Sequence, residues 1–267
     1  MPCILYVRHR AGRLGNRMFM IATAYGLARL HGCHLYLSRE IIREINPIFV
    51  LNFSPVLLTS DVFNPVVHST TRSFVLRTKA VLCQYIPELT RPNAISSGVI
   101  FELLNYWQSY LHFAKYSDDL RQNVFAGKPS ILRKVSKLFN NLYQEKFNYR
   151  PQFSLENHQL LKTQLVQSNL VTWIGIHVRR KDFVRFKFAS NENYLFAAIK
   201  FYRSTYPNAY FIVASDDKSY CRRLFRYHAN ISITPRSFSI GDDLIALSLC
   251  QHSIITGGTF GWWSGYL

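Results

Sequence analysis

After residue 168 the sequence alternates strictly between short apolar runs and helical segments, and few architectures accommodate such a pattern. The runs VTWIGIHV, AYFIVAS, ISIT and HSIIT have the length of buried strands. The segments between them, 194–202, 218–227 and 242–250, have helical periodicity. Strands that alternate with helices predict an open parallel sheet with helices on both faces. We therefore predict a Rossmann-like domain over residues 168–267.

The N-terminal stretch also has a strand, a loop, a helix and a second strand in succession. A β-rich run begins at Ile4, an apolar stripe at helical spacing runs over 18–28, and the run HLYLS begins at His34. Asn16 is the predicted N-cap of this helix and Gly32 its C-cap. We predict that residues 1–167 form a second α/β domain, with a helical insert that includes amphipathic helices at 118–125 and 131–146.

The charge balance points to anionic partners. Lys and Arg number 32 against 15 Asp and Glu, so the formal net charge is +17. This balance suits phosphate-bearing ligands, nucleic acid or an acidic membrane surface, and it does not choose between them. A hydrophobic fraction of 48% excludes a disordered chain. No run reaches the ~18 apolar residues of a membrane-spanning helix, and the first segment is too short and too basic for a signal peptide.

The five cysteines are odd in number and lack CxxC spacing. This pattern argues against a zinc site or a complete disulfide framework, and we expect most of the cysteines to be buried thiols. Asn52 and Asn230 begin Asn-x-Ser triplets, which are N-glycosylation sites only in a protein that enters a secretory lumen.

Three predicted loops follow strands and are rich in groups that hold phosphate. AGRLGNRM at 11–18 has two glycines before a helix, HVRRKD at 177–182 has adjacent arginines, and ITGGTFGWW at 255–263 leads into an aromatic helix. In open α/β sheets, ligands bind beyond the carboxyl ends of the strands. Each loop also has a purely structural interpretation. The first loop would be a tight turn, the second an ordinary basic strand end, and the third a helix cap packed by core tryptophans.

Together the loops favour a nucleoside diphosphate in a cleft between the two halves. The chain lacks a Walker loop and a GxGxxG fingerprint, which argues against a P-loop NTPase or an NAD enzyme. It also lacks a DxD pair, and its acidic doublets at 118–119, 216–217 and 242–243 are adjacent residues whose side chains diverge in a strand. We therefore predict a site without a metal ion and without a cofactor.

Five motifs, in this order and at these separations, closely resemble the α-1,2-fucosyltransferase family: GRLGNRMFMIATAYGLARLHG, LLNYWQSYLHFAKYSDDLR, IGIHVRRKDF, FIVASDD and DLIALSLCQHSIITGGTFGWWSGYL. The resemblance implies a GT-B-like fold of two Rossmann-like parallel-sheet halves with a cleft between them. It implies inverting, metal-independent transfer of L-fucose from GDP-fucose to the 2-hydroxyl of a terminal β-galactoside of a glycan. It also implies the compartment of that family, the Golgi lumen or membrane, and a glycoprotein.

The resemblance also implies roles for individual residues on the donor side. Arg179 matches the arginine that holds the donor β-phosphate, and Arg180 follows it. His177 and Asp243 would lie by the guanine, where a carboxylate accepts from N1–H and the exocyclic amine. The hydroxyl of Thr259 and the backbone N–H of Phe260 would contact the diphosphate.

Arg13 and Asn16 match the family loop that faces the reacting sugars, so they are the predicted acceptor-side residues. Asp182 and Asp216 match motif carboxylates, with bracing of the arginines and catalysis as equal alternatives. Asp182 is the candidate for the general base. The predicted catalytic set is Arg179, Asp182 and Asn16.

The chain departs from the family at two motif positions, Arg17 and Lys181, and each departure adds charge beside the donor. The family continues beyond the segment that ends here at Leu267, and its animal members carry an N-terminal anchor. We therefore expect a truncated C-terminal half and membrane association only through an anchor missing from this chain, with a cytoplasmic location as the alternative.

Two other functions stay open at this point. The first is a catalytically inactive GDP-sugar-binding fragment. The second is a basic protein that binds nucleic acid or another polyanion through its charge and its 16 tyrosines. Arginines and aromatics fall at strand ends in family motifs, so no nucleic-acid partner is expected.

Overall fold

The computed structural model describes residues 2–8, 12–54, 56, 73–77 and 83–267, and these form two compact units. The first unit is Met1–Phe125 and the second is Ala126–Leu267. Each unit is built around one four-stranded parallel sheet. Among the described residues, no helix has the length and apolar character needed to cross a bilayer.

The sheet of the first unit has the strand order β2-β1-β4-β3. Its strands are β1 (Ile4–Val7), β2 (His34–Leu37), β3 (Ser73–Arg77) and β4 (Ile100–Leu104). The helices α1 (Leu14–His31) and α2 (Arg39–Ile45) follow β1 and β2. Single helical turns cover Pro87–Thr90, Tyr110–His112, Ala114–Tyr116, Ser117–Asp119 and Leu120–Val124.

The structure corrects the predicted start of α1 and confirms its predicted end. The predicted N-cap at Asn16 is wrong, because the helix begins at Leu14 and Arg13 occupies the extended N-cap position. Asn16 therefore lies inside the first turn. The C-cap at Gly32 is confirmed: its φ of 66° is left-handed, which glycine adopts without strain, and its N–H bonds to the Ala28 carbonyl.

A disulfide joins Cys3 and Cys33, so the expectation that most cysteines are buried thiols is wrong. The cause is strand register. Ile4 on β1 pairs with His34 on β2, and this places the two preceding cysteines side by side, with their Cα atoms 4.6 Å apart. Cys221 and Cys250 are buried free thiols, whereas Cys83 is exposed.

The sheet of the second unit has the order β7-β6-β5-β8, and the predicted alternation of strands and helices is confirmed. Every residue of β5 and β6 is buried, which explains their continuous apolar sequences. The strands are β5 (Thr172–Val178), β6 (Ala209–Ser215), β7 (Ile231–Ile233) and β8 (His252–Ile255). The later helices are α5 (Lys181–Arg185), α6 (Glu192–Thr205), α7 (Lys218–Leu224), α8 (Ile240–Ser248) and α9 (Thr259–Tyr266).

The second unit also includes α3 (Pro129–Phe147) and α4 (His158–Gln167), which precede the sheet in the chain. Phe139 of α3 packs edge-on against Trp173 of β5 at 4.9 Å, and Trp173 Nε1 donates to the Tyr143 hydroxyl. These contacts explain why the compact unit begins at Ala126. The division into an acceptor-side domain 1–167 and a donor-binding domain 168–267 stays a prediction.

A buried histidine connects the start of the second unit to its helices. His158 Nδ1 accepts from the Gly127 N–H at 3.2 Å, and Nε2 lies 3.1 Å from the Ser248 hydroxyl. Complete burial lowers the pKa of His158 to about 3. The ring is therefore neutral at physiological pH and stabilises the packing of α4 against α8.

Candidate functional site

The strand order of the second unit locates a site. The chain runs from β5 outward to β6 and β7 and then returns to place β8 on the other side of β5. Loops after β5 and β8 therefore diverge at a topological switch point, where open α/β sheets bind ligands. The HVRRKD and ITGGTFGWW motifs occupy these two loops. The loop after β6, with Asp216 and Asp217, lies beside them.

Arg179 joins all three of these loops. Its backbone N–H donates to the Thr256 hydroxyl at 2.8 Å, which ties the loop after β5 to the loop after β8. Its guanidinium pairs with Asp182 through Nη2 at 2.6 Å and with Asp216 through Nη1 at 2.9 Å. A guanidinium carries five N–H donors, so donors remain for a ligand after both carboxylates are served.

Arg180 turns toward a different partner. Its guanidinium carbon lies 3.7 Å from the centre of the Tyr220 ring, and its backbone N–H donates to Asp216 at 2.8 Å. The Tyr220 hydroxyl donates to Glu192, and burial raises the pKa of Tyr220 to about 12. Asp216 thus contacts both motif arginines, which is the geometry that a bracing role needs.

His177 is a neutral ring at the end of β5. Only 4% of the residue is exposed, and its ring lies 5.0 Å from that of Phe260. Burial, and then the charge of Arg179, lower the pKa of His177 to about 4. Its Nδ1 is buried without a hydrogen-bond partner among the described residues. The ring therefore interacts at neutral pH as an uncharged donor or acceptor.

Asp243 lies in the first turn of α8 and is paired with Lys218. The Lys218 Nζ donates to Asp243 Oδ1 at 2.9 Å and to the Pro235 carbonyl at 2.8 Å. Asp243 is 8% exposed, and this burial raises the pKa of its carboxyl group, an effect that Lys218 opposes. The neighbouring Asp242 has its own partner, Lys134, and completes the capping box with Ser239.

A cavity of about 430 Å³ lies within the second unit, and Arg179, His177 and Asp243 are part of its lining. Arg179, Lys218 and Arg236 supply its positive charges. The rest of the lining consists of three carboxylates, an apolar and aromatic wall, and short polar or small residues: Asp216, Asp217, Asp243, Phe238, Ile240, Phe260, His177, Ala214, Ser215 and Ser219. A nucleotide needs this combination, because a base requires an apolar wall and phosphates require cations.

Helix α9 starts beside the cavity. Its N-cap is Gly258, whose φ of 105° favours glycine, and Thr259 is the first helical residue. A helix N-terminus presents backbone N–H groups and the positive end of the helix dipole, which suit an anion. Phe260 lines the cavity directly. Predicted residues His177, Arg179, Asp243 and Phe260 thus lie around one space.

The predicted acceptor-side residues lie in the first unit. Arg13 is the residue before α1, and Asn16 is in the first turn of this helix. The Asn16 side-chain oxygen accepts from Gln108 Nε2 at 3.0 Å. Arg17, which departs from the family motif, pairs with Glu44 of α2.

Both predicted glycosylation sites are exposed. The Asn52 side chain accepts from the Ser54 N–H at 3.1 Å, within its own triplet. Asn230 has a left-handed φ of 58° just before β7.

The metal prediction has no direct test in the structure. In the described part of the chain, no group of three or more His, Cys, Asp or Glu side chains is arranged to hold a metal ion.

Sequence reasoning missed several residues of the cavity, among them Lys218, Arg236 and Phe238. Lys218 follows the doublet after β6, so the rule that ligands bind at strand ends was a usable signal for it. Arg236 and Phe238 lie in the segment between β7 and α8, and no local pattern marks them. They reach the cavity only because β7 is placed next to β6.

Comparison with known proteins confirms the resemblance that the motifs predict. Residues 139–267 match the model of Glycosyl transferase family 11. The chain is 26% identical to the mouse galactoside 2-alpha-L-fucosyltransferase Sec1, over 96% of this chain and 62% of that protein. It is also 26% identical to the gorilla galactoside alpha-(1,2)-fucosyltransferase 2, over 96% of this chain and 67% of that protein. The chain therefore spans about two thirds of the length of these relatives.

Solved structures establish the fold. A NodZ alpha-1,6-fucosyltransferase crystal soaked with GDP-fucose superposes with a TM-score of 0.60 at 14% identity, covering 100% of this chain and 93% of that one. POFUT1 in complex with GDP superposes with a TM-score of 0.55 at 10% identity, covering 98% and 94%. The predicted GT-B-like architecture of two parallel-sheet halves is confirmed.

Proposed function

We propose, from the premise that this chain is a relative of the α-1,2-fucosyltransferases, that it transfers L-fucose from GDP-fucose to the 2-hydroxyl of a terminal β-galactoside. The observation that carries the proposal is the cavity at the switch point, where Arg179 and Asp243 line the same 430 Å³ space. The first suits a phosphate and the second suits guanine. The names of the relatives support the choice of donor and linkage.

In this proposal Arg179 holds the β-phosphate of the donor. Asp182 and Asp216 fix its guanidinium from two sides, at 2.6 and 2.9 Å, so that it does not reorganise when charge develops on the leaving group. Thr259 and Phe260 add the N-terminus of α9. Arg180, held against Tyr220, contributes positive potential next to this site.

Guanine lies between His177 and Asp243. The carboxylate accepts hydrogen bonds from N1–H and from the 2-amino group, whereas adenine has neither donor at these positions. Phe238 and Ile240 supply the apolar wall for the base. A site built on such donors and acceptors discriminates strongly, because adenine leaves the acceptor positions that Lys218 does not occupy on this buried carboxylate without a donor.

The transfer breaks the bond between fucose C1 and the diphosphate oxygen and forms a bond from C1 to the galactoside 2-oxygen. Positive charge develops on the sugar ring and negative charge on the departing GDP, which Arg179 and the helix N-terminus stabilise. Asp182 is engaged by Arg179, which favours bracing over proton abstraction. The departing phosphate then accepts the proton of the 2-hydroxyl. Arg13 and Asn16 are assigned to the acceptor side.

We also propose that the protein works in an oxidising secretory compartment such as the Golgi lumen. Disulfides persist in such compartments and are rare in the reducing cytosol, which fits the pair Cys3 and Cys33. The exposed triplets at Asn52 and Asn230 are consistent with the same location.

Two measurements test the proposed function. Calorimetric titration with GDP, ADP and an oligonucleotide is expected to give selective binding of GDP. Incubation with GDP-fucose and lactose is expected to give a product whose new linkage is α-1,2 to galactose. GDP-selective binding without transfer would reduce the function to donor binding, and salt-sensitive binding of the oligonucleotide without GDP binding would contradict it.

A further inference from the structure

Lys218 lies where three elements of the second unit meet. It is the first residue of α7, and its ammonium bonds to Asp243 of α8 at 2.9 Å and to the carbonyl of Pro235, after β7, at 2.8 Å. The Lys218 side chain is 14% exposed and lines the cavity. Two of its three N–H donors are therefore used on one side of the base-binding space.

The charges around Asp243 make Lys218 its principal counter-ion. Burial raises the pKa of Asp243, and the adjacent Asp242 acts in the same direction. His177, at the end of β5, is neutral at physiological pH because its pKa is about 4, so it does not act as a counter-ion. Asp242 has its own counter-ion, Lys134. Arg236 also lines the cavity. Lys218 differs from Arg236 in that its ammonium group forms an ion pair with the Asp243 carboxylate among the described contacts.

We propose that Lys218 is a positioning residue that keeps the Asp243 carboxylate charged and aimed at guanine. The inference rests on the proposed function, since it concerns the donor base. A protonated carboxyl group has an O–H donor in place of one acceptor oxygen, so it could not accept from both N1–H and the 2-amino group of guanine. Lys218 donates to Oδ1, and the Thr234 hydroxyl also favours the charged form of the carboxyl group. The remaining acceptor positions of the carboxylate serve N1–H and the 2-amino group.

The test compares the unaltered protein with Lys218→Met by calorimetry, using GDP and ADP from about pH 6 to about pH 8. At each pH, the dissociation constant of GDP from Lys218→Met is divided by that from the unaltered protein, so that the effect of ionisation of the GDP phosphates cancels. Without Lys218 the carboxylate takes up a proton more readily as the pH falls. We therefore expect a loss of GDP affinity of more than about tenfold near pH 6 that shrinks toward pH 8. ADP binding is expected to change by less than about twofold.

Three variants isolate the effect. Lys218→Gln keeps a donor for the Pro235 carbonyl but has no charge, so it is expected to give the same pH profile and serves if Lys218→Met does not fold. In an Asp243→Asn background, Lys218→Met is expected to lower the GDP affinity by less than about twofold more, because the carboxylate that Lys218 keeps charged is already absent. Lys200→Met, an exposed lysine on α6, is the matched control and is expected to change nothing.

The outcomes separate the two proposals. A loss of GDP affinity that is equal at every pH, or equally large in the Asp243→Asn background, would overturn the role of Lys218 while leaving the proposed function intact. If the unaltered protein does not bind GDP at all, the proposed function fails and this inference fails with it.

Discussion

The two sheets of this protein share a parallel four-stranded design but differ in what lies at their strand ends. In the second unit, Arg179 is paired with two carboxylates and Lys218 is paired with Asp243, and both cations line one cavity. In the first unit, the loop after β1 leads into a helix turn where Asn16 bonds to Gln108. The first unit also has a disulfide between the residues that precede β1 and the edge strand β2.

Two sheets of the same design therefore differ in chemistry because the loops at their strand ends carry different side chains. The family model matches residues 139–267, which lie entirely within the second unit. Ion pairs that include Arg179 and Lys218 lie at the cavity of that unit. The first unit is held by local capping, packing and a cross-link.

The largest expected effect comes from Arg179→Lys. An ammonium group cannot span two carboxylates and a phosphate, so fucose transfer should fall by about 10²–10³, equivalent to ~2.7–4 kcal/mol of barrier. Arg13→Lys in the first unit should leave GDP affinity unchanged. Arg133→Lys, on the exposed face of α3, is the control for altered surface charge. Rates and GDP affinities are measured for all three, and full activity in Arg179→Lys would remove this residue from the donor site.

The second prediction addresses the first unit. Replacing Cys3 and Cys33 by serine opens a loop with a sequence separation of 30, and chain entropy puts the loss at about 3–4 kcal/mol of unfolding free energy. GDP binding by the second unit should be retained. Cys83→Ser, which changes an exposed free thiol, is the control. Chemical unfolding with separate probes for each unit checks this, and an unchanged first unit would show that the cross-link adds no stability.

Replacing one glycine in each unit by alanine should have smaller effects, and only the change in the second unit should weaken GDP binding. A Cβ at Gly261 would lie 2.6 Å from His177 Nδ1, so Gly261→Ala should cost about 1–3 kcal/mol and weaken GDP binding. A Cβ at Gly26 would lie 2.5 Å from the His112 carbonyl, so Gly26→Ala should destabilise the first unit and spare GDP binding.

Gly265→Ala is the matched control for these variants. It lies on the same helix as Gly261, but its nearest neighbour would be 3.6 Å away, an ordinary contact. Thermal unfolding and GDP titration together are the measurement. Equal loss of GDP affinity in Gly26→Ala and Gly261→Ala would erase the distinction between the units.

The smallest expected effect is that of chelation. The protein already supplies Arg179, Arg236 and a helix N-terminus near the cavity, so a diphosphate does not depend on a divalent ion for neutralisation. Transfer in excess EDTA should stay within about twofold of the untreated rate, and added Mn²⁺ should change it equally little. Loss in EDTA with recovery in Mn²⁺ would make Asp216 and Asp217 the first residues to test as metal ligands.

The sequence by itself determined the elements from β5 onward and the first strand, helix and strand of the chain, but not β3 and β4. Buried strands such as β5 and β6 are continuous apolar runs, and Gly32 ends α1, because these signals lie in consecutive residues whose period and backbone preferences act locally. The placement of Arg179 at a strand end followed from the same pattern. The N-cap of α1 was misplaced, because Asn16 is a favourable cap by residue type alone while the helix begins two residues earlier.

Only the tertiary structure decided which of these residues meet. Lys218 and Asp243 are 25 residues apart, Arg180 and Asp216 are 36 apart, and the paired cysteines are 30 apart. Each contact depends on which strands are neighbours and in what register, for example Ile4 opposite His34. That choice is made by the burial of whole strands and helices, so it cannot be inferred from the residues that flank each site.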